Sequence, residues 1–382
     1  MGGRTDMEIH AEGEPLFELF STLVSIDSPS GHERAAADYV KKFLSDLGAG
    51  VSEDDAPSRD QFLTTGNVLG RMSGTLPGEP LLFSAHLDTV MPGIGKKAVL
   101  HDGGRITSSG NTVLGADDAA GVAEILEAVR ILETRRIPHR SLELLFPVAE
   151  EVYCRGSRVL DFSILRSKEA YVLDLSGQIG SAAVGAPTLI SFSVEVKGKA
   201  AHAGFEPEKG VHAIQAAAGA VQKLQLGRIG THSTRNIGTI RGGTATNIVP
   251  DSVILEGEIR GAVHSDALAL MEETRTLFET AAAACGASAA VTSDIRIHAY
   301  TTPPESSAVR NFSAACRSLG LKAQFAPTFG GSDNNNFALY GITGIVAACG
   351  MQQPHTTGEY TTLDDLRLAT ELVLQLMTTP AS

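Results

Sequence analysis

The sequence predicts an α/β fold, a mostly parallel sheet covered on both faces and interrupted by a smaller, antiparallel unit. Three observations carry that prediction. Short apolar runs alternate with amphipathic helical stretches through the first half of the chain, as strands buried under helices require. A central block instead alternates apolar and polar residues strictly, the mark of strands with one wet face. The chain has 382 residues, which suggests two or three domains at roughly 150 residues each.

Each element has its own reason. Glu33 to Leu47 sets Ala36, Val40, Phe43 and Leu44 along one helical face. Leu81-Leu-Phe-Ser-Ala-His86 is a short apolar run, hence a buried strand. Asp118 to Leu132 carries Val122, Ile125, Leu126, Val129 and Leu132 on one helical stripe. Residues 141–149, 170–175 and 341–350 read as further buried strands. In the central block, Phe192, Val194 and Val196 share one side of the strand 191–197. A helix (about 211–226), strands (about 234–241 and 252–260), a helix (about 265–284) and a strand (about 289–298) follow. The order β-α-β-β-α-β is that of a ferredoxin-like unit. The expected organisation is therefore 1–186 and 301–382 as one domain, with 187–300 inserted into it.

Composition narrows the function. Lys and Arg total 31 against 44 Asp and Glu, a net charge of −13, which argues against nucleic acid as the partner. No run of about 18 apolar residues occurs, so no membrane partner is expected. The opening Met1-Gly-Gly-Arg-Thr-Asp6 has no apolar signal core. Cys154, Cys285, Cys316 and Cys349 form no CxxC pair, which fits a cytoplasmic location and gives no sign of a disulfide framework or a thiolate zinc knot.

The chemistry lies where the polar residues fall. His86 and Asp88 end one strand, Glu150 and Glu151 another, and Asp174 a third. His355 follows a fourth, and Asp117 opens the helix after Gly115-Ala. In an open parallel sheet, ligands bind beyond the carboxyl ends of the strands. Taken singly, each residue has a plainer reading: a turn residue, a helix cap for Asp117 and Asp118, a solvated pair for Glu150 and Glu151. Together, two histidines and several carboxylates on one sheet edge would repel strongly without cations among them. Nitrogen and oxygen donors without thiolate suit zinc, manganese or cobalt. Two His and three carboxylates exceed one tetrahedral ion and suit two ions roughly 3.5–4 Å apart, bridged by a carboxylate. One carboxylate must stay unligated to shuttle a proton. Neighbours in an extended segment point oppositely, so Glu150 and Glu151 can divide the roles of base and ligand.

Ordered motifs run from about residue 80 to the C-terminus: Ser84-Ala-His-Leu-Asp-Thr89, Gly115-Ala-Asp-Asp-Ala-Ala-Gly121, Pro147-Val-Ala-Glu-Glu151, Val172-Leu-Asp174, Ala201-His-Ala-Gly204, Gly242-Gly-Thr-Ala-Thr-Asn-Ile-Val-Pro-Asp251, Gly330-Gly-Ser-Asp333 and His355-Thr-Thr. In these the chain resembles the zinc aminopeptidase/carboxypeptidase family of peptidase T, glutamate carboxypeptidases and aminoacylases, and within it the peptidase-T-like branch. The resemblance implies the zinc-dependent exopeptidase fold with an inserted lid and dimerisation domain. It implies two zinc ions per chain, replaceable by cobalt or manganese. His86, Asp117 and Asp174 would hold one, and Asp117, Glu151 and His355 the other, with Asp117 bridging. Asp88 would orient His86, Glu150 would be the general base, and His202 would stabilise the oxyanion. Asn247 and Arg260 would bind the substrate carboxylate, and Gly330, Gly331 and Ser332 the substrate backbone. The family often has Lys after the Asp-Asp pair; here it is Ala119, which removes no ligand. His10, His32, His101, His139, His212, His232, His264 and His298 are assigned no chemistry.

The expected function is a dinuclear-zinc hydrolase cleaving a small peptide, in the manner of a tripeptide aminopeptidase. A dipeptidase or an N-acyl-amino-acid deacylase is the alternative within the class. A metal-bound, non-catalytic peptide-binding protein and a two-metal phosphoesterase are the alternatives outside it. A homodimer through the lid, closing about hinges near 186 and 300, is also expected.

Overall fold

Leu81, Leu82 and Phe83 are all buried, as a strand with helices on both faces must be. The computed structural model describes residues 14–380. They divide into a larger unit that ends its first part at Val184 and resumes over Thr302–Pro327 and from Ser332, and a smaller one over Gly185–Thr301 with Thr328–Gly331. His10 and the opening hexapeptide lie outside the described residues.

The larger unit is built on eight strands: β1 (Gly50–Glu53), β2 (Val68–Met72), β3 (Leu81–Ser84), β4 (Leu142–Phe146), β5 (Glu169–Leu175), β6 (Ser181–Ala183), β7 (Gln324–Ala326) and β8 (Thr343–Ala348). Their order is β1-β2-β4-β3-β5-β8-β6-β7. The centre, β4-β3-β5-β8, is parallel throughout. Antiparallel pairings lie toward the edges, at β1–β2, β2–β4 and β8–β6. Side chains alternate between two apolar layers. Leu81, Phe83, Leu144, Phe146, Tyr171 and Leu173 share one with residues of helices α1 (Pro15–Ser25), α2 (Arg34–Asp46), α3 (Ala116–Arg135), α4 (Ser307–Ser318) and α6 (Leu363–Thr378). Leu82, Leu145, Ala170, Val172 and Val346 form the other with Phe337 of α5 (Asp333–Leu339). Among the described residues, no helix is long and apolar enough to cross a membrane.

Several expectations need correction. Helix α3 starts at Ala116, but Asp117 and Asp118 have non-helical backbone angles, so regular helix begins only after the pair. The strand read over 341–350 is shorter, Thr343–Ala348, because a turn at Gly341 and the loop to His355 take up its ends. Glu150 and Glu151 do not continue strand β4, which ends at Phe146. They open a turn after Ala149, whose φ is +53°. Strands β1 and β2 and the three-stranded sheet Ala98–Leu100, Arg105–Ser108 and Tyr360–Thr362 were not foreseen, being short and weakly patterned.

The smaller unit is an antiparallel sheet ordered 227–229, 233–242, 252–261, 188–197 and 288–297. Without the short first strand, this is the ferredoxin-like order. Ile190, Phe192, Val194 and Val196 point inward from the strand Thr188–Lys197. They pack with Ala213, Ala217 and Ala220 of helix Ala213–Val221 and Met271 and Phe278 of helix His264–Ala284.

Candidate metal centre

The four central strands deliver the site. His86 stands two residues beyond β3, Asp174 lies at the end of β5, Glu150 and Glu151 follow β4, and His355 follows β8. Asp117 comes from the non-helical start of α3. His86 Nε2 is 3.1 Å from Asp117 Oδ1 and 3.9 Å from Asp174 Oδ1. His355 Nε2 is 3.1 Å from Asp117 Oδ2 and 3.0 Å from Glu151 Oε2. Asp117 thus turns one oxygen to each histidine. The sets His86–Asp117–Asp174 and Asp117–Glu151–His355 each keep their donor atoms within 4.8 Å of one another and share Asp117.

Asp88 holds the neighbouring chain. Its main-chain oxygen is 3.0 Å from His86 Nδ1, and its Oδ1 is 3.3 Å from the same nitrogen. With Nδ1 engaged on that side, Nε2 faces the carboxylates. The carboxylate also accepts the Ser30 hydroxyl (2.7 Å) and the N–H groups of Glu150 (2.9 Å) and Glu151 (3.2 Å).

The electrostatics are those of a crowded acidic cluster. Burial opposes ionisation of Asp117, yet hydrogen bonds from His355 and His86 outweigh it and hold its pKa low. The same Asp117 and Glu151 raise His355 to about 10. Burial, with repulsion from Asp174, pushes Glu150 well up. Burial likewise pushes Asp174 well up, with Asp117 and Glu151 adding to the shift. Glu151 Oε1 is buried and has no hydrogen-bond partner. Such a set fits divalent cations: five nitrogen and oxygen donors, one carboxylate serving both histidines, and a buried carboxylate oxygen lacking a donor.

Three buried residues of the site were missed by sequence reasoning. Glu359 accepts the N–H groups of Gly115 (2.6 Å) and Asp117 (2.9 Å). Asp118 Oδ2 accepts the N–H of His86 at 3.1 Å. Asp333 pairs with the Ser157 hydroxyl at 2.5 Å, and burial raises its pKa to about 7. Asp118 and Asp333 lie inside motifs and could have been singled out. Glu359 acts across 242 residues on main-chain groups and leaves no spacing signal.

Other expected residues belong to the smaller unit. His202 lies on a two-residue strand paired with Ile248–Val249, and the Asn247 carbonyl accepts the N–H of Ala203 (2.9 Å). His202 Nδ1 accepts the N–H groups of Gly204 and Phe205, both at 3.1 Å. The neutral imidazole therefore carries its proton on Nε2. Arg260 donates to the Phe329 carbonyl (2.7 Å) and to Glu258 Oε1 (2.9 Å). Gly330 and Gly331 continue the same segment, where the Gly330 N–H meets the Thr328 hydroxyl at 3.1 Å. Ser332 lies in the larger unit, buried at the head of α5.

Comparison with known proteins agrees with this anatomy. The family model described as Peptidase dimerisation domain matches residues 184–284, and that described as Peptidase family M28 matches residues 67–178. The Bacillus subtilis protein YqjE is 36% identical, the match covering 95% of this chain and 97% of YqjE. The crystal structure of a tripeptidase from Staphylococcus aureus superposes with a TM-score of 0.91 at 34% identity, covering 95% of this chain and 96% of that one. That of aminopeptidase PepT from Bacillus cereus gives 0.89 at 36% identity, covering 95% and 97%. Fold and site together define a metallopeptidase. The chain belongs to the M20 peptidase family, in its peptidase-T-like branch.

Proposed function

We propose that this enzyme removes the amino-terminal residue of small peptides, tripeptides foremost, with two divalent ions held by His86, Asp117, Glu151, Asp174 and His355. The carrying observation is Asp117, one oxygen toward each histidine, beside a half-buried Glu150 whose proton affinity is raised. Likeness to a tripeptidase and to PepT over 95% of the chain supports the substrate class. Zinc is the expected metal, with cobalt and manganese as substitutes.

When bound, the two ions would polarise the scissile carbonyl and ease deprotonation of the attacking water. Glu150 takes the proton from that water on its carboxylate and returns it to the leaving amine. Burial suits it to both acts, because it retains a proton at neutral pH more readily than an exposed Glu. Asp88 orients His86 and the turn bearing Glu150 and Glu151. His202, protonated on Nε2, is the donor for the oxyanion. Arg260 is the anchor for the substrate carboxylate, for which it must exchange part of its contact with Glu258. Asn247, Gly330, Gly331 and Ser332 complete the substrate contacts. The unit inserted at about 187–300 acts as lid and homodimer contact, in keeping with the dimerisation-domain match.

The test is amine release from dipeptides, tripeptides, N-blocked and C-amidated peptides and N-acyl amino acids, with zinc-, cobalt- or manganese-loaded protein. Cleavage of free tripeptides that is abolished by N-blocking is expected. Preferential cleavage of N-acyl amino acids would replace the aminopeptidase reading with a deacylase. Silence across the panel with both metals bound would leave a peptide-binding protein. Glu150→Ala should keep its metals and lose about 10²–10⁴-fold in kcat; full activity in that variant would remove Glu150 from the mechanism.

A further inference from the structure

The turn that carries Glu150 and Glu151 is held by two buried carboxylates. Three consecutive N–H groups point into them. Ala149 donates to Glu33 Oε1 (3.1 Å), Glu150 to Asp88 Oδ1 (2.9 Å) and Glu151 to Asp88 Oδ2 (3.2 Å). Asp88 also contacts His86, so its part belongs to the site already described. Glu33 does not. It comes from the segment entering α2, 116 residues before Ala149, and is fully buried.

Its carboxylate is not spent on the helix it precedes: Glu33 makes no side-chain cap there. Oε1 accepts the N–H groups of Gly31 (2.6 Å) and Ala149, while Oε2 has no hydrogen-bond partner. Ala149 has a left-handed backbone, with φ +53°, which an alanine adopts only when its surroundings hold it there. The next two residues are the proton carrier and a metal ligand, so a rotation at Ala149 would swing both carboxylates.

We propose that Glu33 is a positioning residue for the reaction, its Oε1 holding the Ala149 N–H and so fixing the turn that aims Glu150 and Glu151. The inference rests on the reading of Glu150 as the base. It also specifies what Glu33 must supply: an acceptor rather than a charge, since both donors converge on one oxygen. A glutamine can supply that oxygen. Its amide nitrogen would then take the Oε2 position, as a buried donor without a partner.

The experiment compares wild type, Glu33→Gln and Glu33→Met, the last filling the volume without an acceptor. Each is loaded with two equivalents of cobalt. The readouts are kcat and KM on a cleaved peptide, Tm, and the visible absorption of the cobalt centres. For Glu33→Met we expect a kcat about 10²-fold lower, with KM little changed. Its cobalt spectrum should change as well, because Glu151 shares the turn. Glu33→Gln should restore kcat and the cobalt spectrum although its Tm falls. A purely structural role would instead make kcat follow Tm in both variants. Wild-type kcat and spectrum in Glu33→Met would overturn the proposal, as would a Glu33→Gln enzyme as impaired as Glu33→Met. If Glu33→Met does not fold, the glutamine variant decides alone: lower Tm with full kcat supports the proposal, and joint loss overturns it. Glu150→Ala runs beside them. Should it stay active, the base reading fails, while the cobalt spectra still report whether Glu33 holds the turn.

Discussion

Asp117 Oδ2 lies 3.1 Å from His355 Nε2, and its other oxygen lies the same distance from His86. One carboxylate therefore belongs to both donor sets, and neither set is complete without it. Asp117→Ala should lower the metal content from two ions per chain to at most one and abolish turnover. Elemental analysis after dialysis, alongside an activity assay, checks this. Two retained ions would deny Asp117 the shared role.

The donor set also dictates a pH response. In metal-free protein His355 is raised from 6.5 to about 10 by Asp117 and Glu151. That contribution to stability is fully present below about 6.5 and is lost as pH rises through 10. Burial raises Glu33 and Glu359 to about 7, and Asp333 likewise. A carboxylate with a raised pKa costs nothing while protonated and destabilises the fold once pH exceeds its unfolded value, near 4. Both effects have the same sign. Tm of the chelated protein should fall between pH 5 and 9, most steeply between about 5 and 7, where the three carboxylates ionise, and more gently above 7, where His355 alone acts. Thermal melts in EDTA across that range would show it, and a rising Tm would contradict it.

Metal binding must displace the His355 proton. Affinity should therefore increase from pH 6 to 8, with protons released on loading. Calorimetric titration in buffers of different ionisation enthalpy measures that number. Zero release would mean that His355 is not a ligand.

Glu359 holds Gly115 and Asp117 by their N–H groups. Glu359→Ala leaves both donors buried without a partner, at about 1–3 kcal/mol each. Loosening the Asp117 backbone should weaken metal affinity by about 10–100-fold. Competition against a chromophoric chelator gives the affinity; an unchanged value would limit Glu359 to stabilising the fold.

Gly121 lies where α3 crosses β5. A Cβ there would stand 2.3 Å from the Leu173 carbonyl oxygen and 2.6 Å from Asp118 Oδ1. Gly121→Ala must push α3 off the strand that carries Asp174, costing about 1–3 kcal/mol and loosening the donor set that Asp174 shares with His86. Chemical denaturation and metal titration should both register it.

The local signals that recover most of this fold are apolar periodicities. The run Leu81–Phe83 makes a strand buried on both faces wherever it is placed, and Phe192, Val194 and Val196 make a one-faced strand. The ends of those elements were harder to read. Asp117 and Asp118 look like the first turn of a helix, yet their side chains face the histidines and the His86 backbone, and that geometry overrides helical angles. Glu150 and Glu151 look like the extension of a strand, yet Glu33 and Asp88 draw their N–H groups into a turn.

The five donors stand out in the sequence because each follows a strand or opens a helix, and chemistry restricts which residue types can serve. Glu33 and Glu359 do not stand out. Each acts through main-chain N–H groups 116 or 242 residues away, and a backbone donor is the same whatever residue carries it. The sequence by itself therefore determined the elements and the ligand types. Only the tertiary structure showed which carboxylates converge on the histidines and which hold the chain that carries them, because that depends on what each oxygen meets after folding.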